Sequence, residues 1–134
     1  MSTVLLIEDD PQCARLTQKI LMAQGHTVLV ASNGMVGLRM AREIKADIVL
    51  LDLTLPGLPG TSVIVQLRGT AKFGNVPIIA YTADASEKTK RLVASLGCDG
   101  IITKPVDFYA FPKQVQQFID KGSRQDQHLA ASAS

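Results

Sequence analysis

The chain lacks a charge excess of either sign: 14 basic side chains face 12 acidic ones over 134 residues, a formal net charge of +2. That leaves no basic stripe of the kind that drives nucleic-acid binding. No apolar stretch approaches the roughly 20 residues needed to span a bilayer. Met1-Ser2-Thr3 leads straight into strand-like sequence without a signal peptide. A soluble, cytoplasmic protein with neither membrane nor nucleic acid as a partner is the expectation. Cysteine is scarce as well. Cys13 and Cys98 have neither the close spacing nor the neighbouring His that a zinc site or a disulfide framework requires, so both read as small buried hydrophobes. No internal repeat is evident. What the chain does have is apolar mass, 46% of its residues, at a length typical of one domain.

That apolar mass is distributed as short runs alternating with longer segments of helical period, the pattern of a parallel sheet covered on both faces. Asp10 and Pro11 predict a helix start, with Cys13, Leu16, Ile20 and Ala23 inward and Gly25 as the stop. Val28 to Ala31 reads as the second strand. Asn33 or Ser32 caps a second helix carrying Val36, Met40 and Ile44, and Asp47 introduces the third strand. A third helix is expected from Thr61 to about Lys72. The strand after Pro77 leads to a helix with Thr89, Leu92, Val93 and Leu96 inward, closed by Gly97. A short fifth strand covers about Asp99 to Thr103. The last helix begins near Asp107, turns Phe108, Phe111, Val115, Phe118 and Ile119 inward, and tolerates Pro112 in its first turn. Residues 1–121 are thus the expected domain. Residues 122–134, without an apolar period, are expected to be a disordered tail or a truncated linker.

Repeated strand–helix units with right-handed crossovers predict an α/β fold, a doubly wound five-stranded parallel sheet with five helices in the flavodoxin-like order 2-1-3-4-5. Ligands in such sheets bind beyond the carboxyl ends of the strands, where the strand order reverses. Here that point lies between the first and third strands, which end in Glu8-Asp9 and Asp52. The fourth ends in Thr82 and the fifth leads to Lys104. Three carboxylates brought together repel, by about 4 kcal/mol per pair at 4 Å with an effective dielectric near 20. Lys104 is one candidate to offset that charge. A hard divalent cation such as Mg²⁺ is the other, because oxygen-only ligands suit it and the site offers no His or Cys for zinc. A carboxylate beside a cation and a lysine can attack a phosphoryl group in line. Asp52, alone at its strand end, fits the nucleophile, and the paired Glu8 and Asp9 fit cation ligands. Asp10 reads as a helix cap.

The segments VLLIEDDP and IVLLDLTLPGLPG, the pair Thr82-Ala83 and the segment IITKP closely resemble the receiver domain of two-component response regulators, over about residues 3 to 121. The resemblance implies that Asp52 is the phosphoacceptor, that Glu8 and Asp9 hold Mg²⁺, and that the Thr54 backbone carbonyl also contacts the metal. It further implies that Thr82 is the switch hydroxyl, that Lys104 pairs with the phosphoryl group, and that the Lys104-Pro105 peptide is cis. The implied function is a phosphorelay switch that takes its phosphoryl group from a histidine kinase or phosphotransfer protein, loses it slowly, and alters a protein-binding face. One departure bears on output. The family commonly carries an aromatic residue three positions before the lysine, and this chain has Ile101, so readout rests on loop and helix shifts or is partly taken over by Tyr81. Thr54 and Asp84, two positions after Asp52 and Thr82, are expected to set the hydrolysis rate.

Two other function classes fit the sequence less well. A phosphorylation-independent adaptor of receiver shape would be expected to have lost one or more of Glu8, Asp9, Asp52, Thr82 and Lys104, all of which are present. An aspartate-nucleophile phosphatase would need a second acid where Thr54 stands.

Overall fold

The computed structural model describes residues 2–104 and 107–133. Five parallel strands, β1 (Thr3–Ile7), β2 (Thr27–Ala31), β3 (Ile48–Leu51), β4 (Ile78–Thr82) and β5 (Gly100–Thr103), form one sheet in the order β2-β1-β3-β4-β5. Five helices connect and follow them: α1 (Pro11–Met22), α2 (Gly34–Glu43), α3 (Gly60–Arg68), α4 (Glu87–Ser95) and α5 (Ala110–Ala133). The predicted architecture and strand order are those observed.

The strands are apolar throughout because both sheet faces are covered. Successive residues feed opposite layers: Leu5 and Ile7 pack with α2, α3 and α4, whereas Val4 and Leu6 pack with α1 and α5. In β4 the same alternation sends Ala80 to the first layer and Tyr81 to the second. The register Ile7↔Leu51 and Thr82↔Thr103 aligns the carboxyl ends, so the residues after each strand share one edge.

Local chemistry accounts for the helix starts. The Asp10 carboxylate accepts from the Gln12 amide at 3.0 Å with Pro11 at the first helical position, and Asn33, rather than Ser32, accepts from the Val36 amide at 2.9 Å. Asp107 accepts from the amides of Tyr109 and Ala110, so α5 begins just after it. Gly60 opens α3 against the site itself. A Cβ there would lie 2.6 Å from the Asp52 carbonyl oxygen and 2.8 Å from the Leu53 Cα, both backbone atoms that cannot move aside cheaply.

Several expectations need correction. The inward face of α1 is Ala14, Thr17 and Leu21, flanked by Cys13 and Ile20; Leu16 lies off it and is 43% exposed, and Ala23 is exposed as well. Phe108 sits in the capping turn before α5 and is 60% exposed, while Phe111, Val115 and Ile119 are buried as expected. Leu92 faces outward, leaving Val93 as the buried residue of α4. α3 stops at Arg68, and a 3-10 turn, Ala71–Phe73, occupies the remainder of the predicted helix. Helical backbone continues past Gly122 to Ala133. Extending a helix already anchored by its buried first half requires no new nucleation. Pro105, and with it the geometry of the Lys104-Pro105 peptide, lies outside the described residues.

Candidate functional site

At the carboxyl edge the sheet brings Glu8, Asp9, Asp52 and Lys104 together. Glu8 and Asp52 are buried and Asp9 is exposed; one carboxylate oxygen from each lies within 4.8 Å of the others. Lys104 reaches across from the end of β5, placing Nζ 2.6 Å from Glu8 Oε1 and 3.2 Å from Asp52 Oδ2. The other oxygen of Asp52, Oδ1, accepts twice from Thr54, from its amide at 2.9 Å and its hydroxyl at 2.9 Å. This pattern, an aspartate accepting from the residue two positions on, holds Asp52 in a single orientation.

The two buried carboxyls titrate in opposite directions. Burial pushes Glu8 upward, and the neighbouring Asp52 carboxylate adds to that, outweighing the help of Cys13 and Lys104. Burial also pushes Asp52 upward, but its coupling to the neighbouring Glu8, the hydrogen bonds from Thr54 and the charge of Lys104 more than reverse it, leaving Asp52 below the ordinary aspartate value. Lys104 is disfavoured by burial yet held above its usual value by Glu8 and Asp52. At neutral pH Asp52 is thus an ionised, oriented carboxylate.

One lysine does not neutralise this cluster. Among the described residues Glu8 Oε2 is buried and has no hydrogen-bond partner, and the donor set is oxygen only. A buried carboxylate oxygen without a partner is unfavourable, so the site fits a hard divalent cation.

Thr82 stands at the same edge, buried at the end of β4, with its hydroxyl oxygen accepting from the Asp84 amide at 3.1 Å. The Asp84 carboxylate is committed to the start of α4. It accepts from the Ser86 amide at 3.0 Å and the Thr89 hydroxyl at 2.6 Å, which hold its pKa below the usual value.

Two partners of the site escaped sequence reasoning. The Thr54 hydroxyl, not only its backbone, touches Asp52, and the Asp-Leu-Thr spacing is the signal that could have revealed it. Tyr81 lies beneath Lys104, with Nζ 4.6 Å from the ring centroid. Because Tyr81 belongs to the α1/α5 layer and Ile101 to the opposite one, Tyr81 cannot stand in for the aromatic missing at Ile101.

A five-stranded parallel sheet whose edge gathers three carboxylates and a lysine defines a class, and comparison with known proteins supplies the family. The family model described as "Response regulator receiver domain" matches residues 4–116, and the chain belongs to that family. Among curated relatives, the sensory transduction protein RegX3 of Mycobacterium tuberculosis is 34% identical over 130 residues, covering 97% of this chain and 56% of the relative. Protein PilH of Pseudomonas aeruginosa is 36% identical over 107 residues, 80% of this chain and 88% of PilH. The chain therefore spans little more than half of RegX3 and most of PilH. Among solved structures, the chemotaxis protein CheY4 of Vibrio cholerae superposes with a TM-score of 0.85 at 23% identity, over 88% of this chain and 98% of CheY4, a likeness of fold. The receiver domain of sensor histidine kinase PA1611 from Pseudomonas aeruginosa, described with a magnesium ion coordinated in its active-site cleft, gives 0.82 at 28% identity over 89% and 98% of the two chains. Among the described residues, no helix is long and apolar enough to cross a membrane.

Proposed function

We propose that this receiver domain is a phosphorylation-dependent switch of a two-component phosphorelay, accepting a phosphoryl group on Asp52 from a histidine kinase or a phosphotransfer protein. The observation that carries the proposal is the state of Asp52: buried, ionised, held at Oδ1 by Thr54 and facing Lys104 through Oδ2. Oδ2 is the oxygen left to attack. As its bond to phosphorus forms, the bond from phosphorus to the donor's nitrogen or oxygen breaks, and the donor leaves with that electron pair. Glu8, Asp9, Asp52 and the Thr54 backbone carbonyl would hold Mg²⁺, whose charge, when bound, offsets that of the phosphoryl oxygens. Lys104 would contribute a second positive charge and orient the incoming group.

The product adds about two negative charges to a desolvated edge. The Thr82 hydroxyl can donate to the new oxygens, and the loop from Thr82 to α4 then gives up the bond that Asp84 makes to it. The domain thereby biases a face read by a downstream protein, a population shift of typically ~1–3 kcal/mol rather than a new fold. Its chemistry is limited to gaining and slowly losing the phosphoryl group. Incubation with a small phosphodonor and Mg²⁺, followed by intact mass, tests the proposal. A gain of one phosphoryl group that disappears in Asp52→Asn is expected; an unmutated protein that gains no mass overturns it.

A further inference from the structure

Lys104 poses a physical question that its two ion pairs do not answer. It is a long, flexible side chain of which one fifth is exposed, and it must meet a group that alters the very carboxylate it pairs with. A lysine positioned only by Glu8 and Asp52 would follow their charges as these change. Some fixed body has to set its place.

We infer that Tyr81 is a positioning residue for the phosphoryl reaction: its ring carries the Lys104 ammonium, and its hydroxyl, tied to α1, fixes where that ring stands. The inference rests on the phosphoacceptor reading of Asp52 and goes beyond it. The ring centroid lies 4.6 Å from Lys104 Nζ, within the range in which an ammonium is attracted to the negative face of an aromatic ring. Tyr81 is only 2% exposed, so this attraction is poorly screened.

The ring has little freedom. Its hydroxyl hydrogen-bonds with the buried Thr17 Oγ1 at 3.1 Å and lies 3.5 Å from Cys13 Sγ, both on α1. Its flank rests on Phe111 of α5, with centroids 5.9 Å apart and planes tilted by 36°. Burial pushes the phenol up to about 12, so it stays neutral and remains a hydrogen-bonding anchor instead of a competing charge. Thr17 is itself explained by this arrangement, because a buried hydroxyl on the inward face of α1 needs a partner and Tyr81 is that partner. Tyr81 thus links Lys104 to α1 and α5, on the sheet face away from Ile101.

Separate variants isolate the ring from its anchor. Tyr81→Phe keeps the ring and Tyr81→Leu removes it; Thr17→Val leaves the ring and deletes the hydroxyl on α1. Each is compared with the unmutated protein by its phosphorylation rate with acetyl phosphate and Mg²⁺, and by the NMR shifts of the Lys104 ε-methylene protons, which a ring directly beneath them moves upfield. Thermal unfolding checks that each variant is folded. For Tyr81→Leu the upfield shift should vanish and the rate should fall roughly tenfold, whereas Tyr81→Phe, which keeps the ring but loses its tie to α1, should retain an upfield shift displaced from that of the unmutated protein and stay within about threefold in rate. A folded Tyr81→Leu that retains the Lys104 shift or the full rate overturns the inference. Should Tyr81→Leu fail to fold, Thr17→Val decides: a displaced Lys104 signal supports the anchored ring, and an unchanged one overturns it. If the unmutated protein takes up no phosphoryl group, the reading of Asp52 fails, and the Lys104 shifts still decide whether Tyr81 positions the lysine.

Discussion

Thr54 shows how much a single side chain adds to this site. Its hydroxyl and amide both hold Asp52 Oδ1, and if Asp52 is the phosphoacceptor as proposed, those same donors would stabilise the carboxylate as it leaves phosphorus. Thr54→Val keeps the shape, and so the shielding from water, while deleting one donor. The phosphorylated protein should then live about two- to tenfold longer, as expected for one hydrogen bond worth ~0.5–1.5 kcal/mol. Following the loss of the phosphoryl mass with time checks this, and an unchanged or shortened lifetime would count against it. Asp84, engaged with Ser86 and Thr89, is a poorer candidate for that role than its position suggested. His26 supplies a prediction of a different kind. Its Nδ1 is buried with no partner among the described residues, and burial, opposed by the Asp47 carboxylate, lowers its pKa from the ordinary 6.5. A depressed imidazole favours folding while neutral, so its contribution is full above pH 6.5 and is lost as pH falls through the lower folded-state value. Thermal melts across that range should show His26→Gln losing less stability on acidification than the unmutated protein; parallel curves would refute the assignment.

Among the elements, the helix ends and strand ends divide what could be read from sequence from what could not. Four strand ends were legible because each is an apolar run broken by a residue type with a chemical use, and parallel order places such breaks at one edge. The inward faces of α1 and α5 were legible only to within a residue, since Leu16 and Phe108 match the helical period yet lie outside the buried stripe. Tyr81 was hidden for another reason. A strand buried on both faces shows no alternation, so neither its direction nor its place beneath Lys104 leaves a trace in the sequence. Arg68 is equally invisible, because its partners are remote along the chain. At the end of α3 its guanidinium donates to the carbonyls of Gly97 at 2.7 Å, Phe73 at 2.6 Å and Val76 at 2.9 Å, and it pairs with Asp99. Asp99 in turn accepts from the Ile78 amide, so this one fork fastens α3, the 3-10 turn and the starts of β4 and β5. A lysine cannot reproduce that geometry. Arg68→Lys should cost about 2–3 kcal/mol in urea unfolding. Because the fork lies at the amino ends of the strands, away from Asp52, the phosphorylation rate should change little. A large loss of rate with stability intact would show that the fork serves the site instead.

For the molecule as a whole, the edge proposed to carry phosphoryl chemistry works against its stability. Glu8 and Asp52 are buried together, Asp9 is beside them, and among the described residues Lys104 is the one cation paired with them and Glu8 Oε2 has no partner. An apolar sheet covered on both faces can carry that local penalty, and the penalty is what makes the edge responsive to added positive charge. A cation bound by the folded state and not by the unfolded chain stabilises by RT ln(1 + [L]/Kd), about 1.4 kcal/mol at ten times Kd. Titration with Mg²⁺ should therefore raise the unfolding temperature by about 3–8 °C for a domain of this size. Asp9→Asn removes charge from the cluster at its exposed member, so it should raise the melting temperature without Mg²⁺ and shrink the increment that Mg²⁺ brings. The opposite pattern, a destabilised variant with an undiminished response to Mg²⁺, would mean that Asp9 is not part of the cation site and that the repulsion at this edge is relieved in some other way.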